Sequence, residues 1–342
     1  MFWLYLLVIA ATEILILLTN SIVGLVLYAL LLATLVIHTT LSSVRERQDL
    51  VRALLLLPLM RILAITLPLG LFPPLARYPI VGVPLLVATV LVIRQSKLAH
   101  ADLGLHTRHV LQQVMLIGAG PVIGAVQYAI LQPQPLITAF SWDTILFGAL
   151  IVFVFIGFAE ELIFRGLLLQ LASGILGRFA VTYVALLFAV LSISYGSPAQ
   201  TVFMFGIALF FGSVVRWTGS ILGVVLAHGL SCVTFYLVLP YAVQHPTPFI
   251  IQSTFWTIAA GSALAIGALG MLLVDRIFGR RTFGLAALAT VATNWSNRPK
   301  DKPTPDAFET TFKGRLEHVR RRKSRLRRTR RQRKQDRRRS ST

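Results

Sequence analysis

Ten runs of predominantly apolar residues dominate the chain and leave it little choice of fold: Phe2 to Leu18, Ser21 to His38, Val51 to Leu71, Ile80 to Ile93, Val110 to Leu131, Thr144 to Leu171, Phe179 to Tyr195, Gln200 to Val215, Ser220 to Leu239 and Ile251 to Val274. A bilayer core needs about 20 such residues per helical span. In lipid every backbone amide must find its partner within the segment, which makes each run a helix. The expectation is an all-α, polytopic membrane helix bundle of about ten transmembrane helices. With 56% hydrophobic and 13% charged residues, the 342-residue chain is too apolar for a soluble domain. The first ten residues, MFWLYLLVIA, carry no basic flank and no small-residue cleavage pattern, so they are read as a retained span.

Charge separates the body from the end of the chain. Residues 276–342 hold 22 Lys/Arg against 5 Asp/Glu, and the net charge of the whole protein is +20. Lys and Arg near span ends accumulate on the cytoplasmic side. Arg45, Arg47 and Arg52, then Arg94, Lys97 and Arg108, then Arg178, Arg216 and the tail all fall on one side of a ten-span chain, and the opposite loops hold only Arg77. Both termini are therefore expected in the cytoplasm. The organisation read from these patterns is N-terminal transmembrane helices at 1–138, a core at 139–240, a final span at 241–275 and a basic cytoplasmic tail at 276–342. Pro299, Pro303 and Pro305 open that tail as a linker, and LEHVRRRKSRLRRTRRQRKQDRRR follows, disordered or helical, with almost no apolar face. Anionic inner-leaflet lipid is the expected partner of this tail. RNA or ribosome contact is the alternative, since an Arg-rich strip also attracts phosphate backbones.

Against this background, GFAEELIFRG is costly. A charged side chain at the middle of a spanning helix costs at least about 2.5–3.5 kcal/mol, which makes Glu160, Glu161 and Arg165 functional candidates. Glu161 and Arg165 stand four apart on one helix face and can pair. Glu160 lies about 100 degrees around and has no local partner. His228, in GVVLAHGLSC, falls at the same depth: Glu160 is roughly 16 Å and His228 roughly 15 Å from the cytoplasmic ends of their spans at 1.5 Å per residue. A carboxylate and an imidazole at one level can activate a water and polarise a carbonyl. A Glu–Arg pair can equally serve to lock helices together, and spacing alone leaves both open.

These residues resemble the CPBP membrane proteins, the family of CAAX proteases and bacteriocin-processing proteins also called abortive-infection proteins. The resemblance covers roughly Leu146 to Leu239 and rests on EExxxR, FxxxH and HxxxN motifs on successive spans. Glu160, Glu161 and Arg165 match the first, with Phe164 and Gly166 beside them. Phe188 matches the second, where Ser192 stands at the histidine position; His228 matches the third, where Cys232 stands at the asparagine position. The resemblance implies a helical bundle with an intramembrane cavity, hydrolysis of a membrane-associated peptide or protein by water activated at Glu160, positioning by Glu161 and Arg165, and oxyanion stabilisation from His228. It also implies an integral multi-pass protein of the bacterial inner membrane. Ser192 cannot hold a proton near neutral pH as imidazole does, and the Cys232 thiol is a weak donor. A catalytically degenerate member that binds a peptide or acts as a scaffold is thus the alternative, and an ion path through the charged cluster is a third. No HExxH or HxxEH occurs, and Glu160 and His228 find no third strong ligand, so no cofactor and no catalytic zinc are expected.

Overall fold

The computed structural model describes residues 1–278 apart from 43, 108–109 and 138–140. The basic tail lies outside the described residues. Fifteen α-helices follow one another without any strand among the described residues: α1 (Phe2–Leu18), α2 (Ser21–Leu41), α3 (Arg45–Leu54), α4 (Leu56–Thr66), α5 (Arg77–Ser96), α6 (Val110–Ile117), α7 (Ala119–Leu131), α8 (Trp142–Val152), α9 (Ala159–Glu161), α10 (Leu169–Leu176), α11 (Ala180–Val190), α12 (Pro198–Thr218), α13 (Leu222–Val233), α14 (Leu239–Gln244) and α15 (Pro248–Phe278). The chain is a polytopic helical membrane protein.

Six helical segments among the described residues are long and apolar enough to cross a bilayer, and the 54-residue segment Trp142–Tyr195 contains two of the ten expected runs. Phe2–Leu18 is a shorter apolar helix. The run from Val51 to Leu71 differs most from its reading. It breaks at Leu55 into the charged α3 and the apolar α4, and α4 carries Arg61 in its middle.

Large apolar side chains face outward along several helices: Leu7 on α1, Leu30 on α2, Phe147 on α8 and Val202 on α12 are all exposed. Water would penalise such surfaces, whereas lipid tails do not. The inward faces form a continuous core in which Leu54, Leu57, Leu167, Leu187 and Val224 are sealed.

Sequence signals set the helix ends. Asn20 caps α2 by accepting from the amides of Ile22 and Val23 at 3.0 and 3.1 Å. Ser141 caps α8, and Ser197 caps α12 just before Pro198, a residue suited to the first helical position. Gly219 closes α12 at a φ of 72°, and the carbonyl of Gly104 receives the Ile221 amide at 3.0 Å, which pins the start of α13.

One close approach positions the site. The helical segment after α8 packs on α13, and a Cβ on Gly157 would lie 2.6 Å from the Gly229 Cα. Backbone meets backbone there because neither residue has a side chain. Small residues at such crossings are how helices come into contact in lipid. Gly157→Val has to force the two helices apart, and the expected result is a loss of about 1–3 kcal/mol, read as a lower thermal midpoint in detergent. An unshifted midpoint would mean that the crossing yields without cost.

Candidate functional site

α8 does not pass smoothly into the glutamates. Residues Phe153–Phe158 and Leu162–Leu168 are π-helical, and the single α-turn Ala159–Glu161 sits between them. Wide turns of this kind are uncommon and concentrate at functional sites. Here they flank the two carboxylates three residues after the Gly157 crossing, which brings the glutamates alongside His228, the residue preceding Gly229.

The two glutamates have different surroundings. Glu161 is fully enclosed, and its Oε1 receives Arg165 Nη1 at 2.8 Å and faces His228 Nδ1 at 2.8 Å. Arg165 is 2% exposed and stacks over Phe188, 4.6 Å from its ring centroid, and over Phe211 at 5.6 Å. Phe164 meets Phe188 edge to face at 4.9 Å. These rings hold the guanidinium and imidazole in place through cation–π and quadrupole contacts. Glu160, by contrast, keeps 27% of its side chain exposed, and its Oε2 lies 3.9 Å from His228 Nε2. The imidazole thus spans the pair, one nitrogen on each carboxylate.

The exposed part of Glu160 opens into a cavity of about 160 Å³ lined by Arg61, Phe164, Phe188, Ser192, Tyr195 and neighbouring apolar residues. Ser192 therefore lines the same cavity as Glu160. Its hydroxyl is turned back, donating to the Ala189 carbonyl at 2.7 Å and lying 3.4 Å from Thr201 Oγ1. Cys232 is buried among Ile137, Val152 and Leu237 and lies within hydrogen-bonding reach of His228, though it is not among the residues lining this cavity.

Two charged residues of the site were missed in the sequence. Glu13 on α1 and Arg61 on α4 lie 48 positions apart and pair at 2.6 Å. Tyr28 of α2 donates to the other oxygen of Glu13, and Arg61 Nη2 also donates to Ser194 Oγ at 2.7 Å. Both charges sit inside apolar runs, and that alone was the available signal. No local spacing joined them.

Among the described residues no group of three or more His, Cys, Asp and Glu side chains is arranged to hold a metal. Oε1 of Glu161 is committed to Arg165 and His228.

The family model described as "Type II CAAX prenyl endopeptidase Rce1-like" matches residues 142–234, from the start of α8 to the first residue after α13. No curated protein and no solved structure matches the chain.

Proposed function

We propose, from the match of residues 142–234 to the Rce1-like CAAX prenyl endopeptidase model, that the chain is an intramembrane glutamate-type endopeptidase acting on a membrane-associated peptide. The observation that carries this reading is the division of labour between the glutamates: Glu161 is sealed by Arg165 and His228, while Glu160 alone presents a carboxylate to the cavity. Nδ1–H of His228 donates to Glu161, which orients the ring and leaves Nε2 toward Glu160. A water between Glu160 and the peptide gives one proton to Glu160 as its oxygen bonds to the carbonyl carbon, while the hydrogen it keeps donates a hydrogen bond to Nε2. The carbonyl π pair moves onto oxygen. When the tetrahedral species collapses, the C–N bond breaks and Glu160 returns the proton to the leaving amine.

A second reading, binding without hydrolysis, is favoured by Ser192 and Cys232, which stand where the motifs have histidine and asparagine, with the Ser192 hydroxyl spent on the Ala189 carbonyl. The two readings separate on Ser192→His/Cys232→Asn. For an enzyme that already works, the double substitution changes the cleavage of membrane-anchored peptides by less than about tenfold. Activity that appears only in the double variant marks the natural chain as a degenerate member.

The proposed setting is the bacterial inner membrane with both termini cytoplasmic, where the tail at 276–342 meets anionic lipid. A peptide of residues 308–342 is expected to bind anionic vesicles in a salt-sensitive manner. Equal binding to neutral vesicles, or a stronger preference for RNA, would remove the lipid assignment.

A further inference from the structure

The cavity has a base but, in the motif residues, no donor for the oxygen that becomes negative. His228 has its Nδ1 proton committed to Glu161, and Nε2 faces Glu160. Ser192 donates to Ala189, and Cys232 does not line the cavity. Tyr195 offers a neutral O–H on the wall. Among the described residues the one cation lining the cavity is Arg61, which comes from α4, outside the matched segment 142–234.

Arg61 is built in rather than dangling. Its side chain is 19% exposed, and its Nη2 is held by Glu13, itself fully buried, and by Ser194, two residues beyond Ser192. Tyr28 braces the far oxygen of Glu13. Nε is buried without a partner, and the Tyr28 hydroxyl also lies within hydrogen-bonding reach of the guanidinium. A guanidinium has five donors and keeps its charge at any physiological pH, so one nitrogen can anchor the group while another serves a ligand. Glu160 and Arg61 on the walls of one small cavity offer a proton acceptor and a fixed cation to a single peptide group.

We propose that Arg61 is a catalytic residue of this chain, donating from Nη1 to the carbonyl oxygen of the scissile peptide and holding it as the oxyanion forms. The N-terminal helices thereby supply the electrostatic half of the site, and Glu13, Tyr28 and Ser194 are its positioning residues. This rests on the hydrolytic reading above. In the step already described, the electron pair released from the carbonyl comes to rest beside the guanidinium, and it returns to re-form C=O as the C–N bond breaks.

The test uses the full chain in proteoliposomes with a membrane-anchored peptide, alongside the same peptide bearing a phosphinate in place of the scissile amide. Glu13→Gln/Arg61→Gln removes both charges of the pair and leaves neither one buried alone. Arg61→Lys keeps the pair with Glu13 but loses the second reach into the cavity. Both variants are expected to lower kcat by about 100-fold or more with KM little changed, and to bind the phosphinate no better than the amide. A double variant that cleaves at the unsubstituted rate overturns the assignment and leaves the hydrolytic reading intact. Arg61-dependent phosphinate binding without any cleavage by the unsubstituted protein strikes the hydrolytic reading and keeps the anion site. Absence of both refutes the two together.

Discussion

Glu160→Gln is expected to reduce peptide cleavage by at least about 100-fold, the usual contribution of a positioned general base. The amide keeps the size and the polar edge of the carboxylate, so the cavity stays filled, but it cannot take a proton from water. Glu160 is partly exposed and makes no short ion pair, its nearest partner being His228 at 3.9 Å, so the thermal midpoint should hardly move. The measurement is the initial rate of cleavage of membrane-anchored peptides by purified protein, next to a melting curve for each sample. An unchanged rate would transfer the chemistry away from Glu160 and with it the distinction drawn between the two glutamates.

Arg165→Met is expected to act on the fold. It removes the partner of a carboxylate that is fully enclosed, and a buried charge left alone costs about 3–5 kcal/mol. Part of the loss also comes from the contacts with Phe188 and Phe211. Adding Glu161→Gln should recover much of the stability, because the glutamine oxygen still accepts from His228 while the isolated charge is gone. The recovery measures the coupling within the pair, and denaturant titration in mixed micelles reads it. A single substitution costing below about 1 kcal/mol would contradict a charge pair sealed from solvent.

Where interactions are local or follow the helix repeat, the residues were legible beforehand. Glu161 and Arg165 pair because four residues bring side chains onto one face, and the level of His228 followed from counting along its span. The apolar runs likewise marked the helices, since in lipid length and hydropathy largely determine them. The Glu13–Arg61–Ser194 network was not legible in the same way. Its members come from α1, α4 and the turn after α11, and no spacing rule joins positions 13, 61 and 194. The break of the third run at Leu55 follows from Pro58, which has no N–H to offer the Leu54 carbonyl and whose ring crowds it. The π-turns around Glu160 have no residue signature in the sequence. Ser192 and Cys232 both depart from the motifs, yet only three dimensions separate them: Ser192 stands at the cavity wall, and Cys232 lies behind it beside His228.

The buried Glu13 also bears on how the protein is made. Synthesis delivers α1 to the membrane 48 residues ahead of Arg61, its cation. A lone carboxylate in that first helix is disfavoured in hydrocarbon, and Tyr28 on the second helix is the earliest donor to reach it. The α1–α2 hairpin thus carries a donor for Glu13 within itself, and its counter-charge comes only with α4. Under the assignment proposed for Arg61, one arginine would serve both the assembly of the bundle and its chemistry.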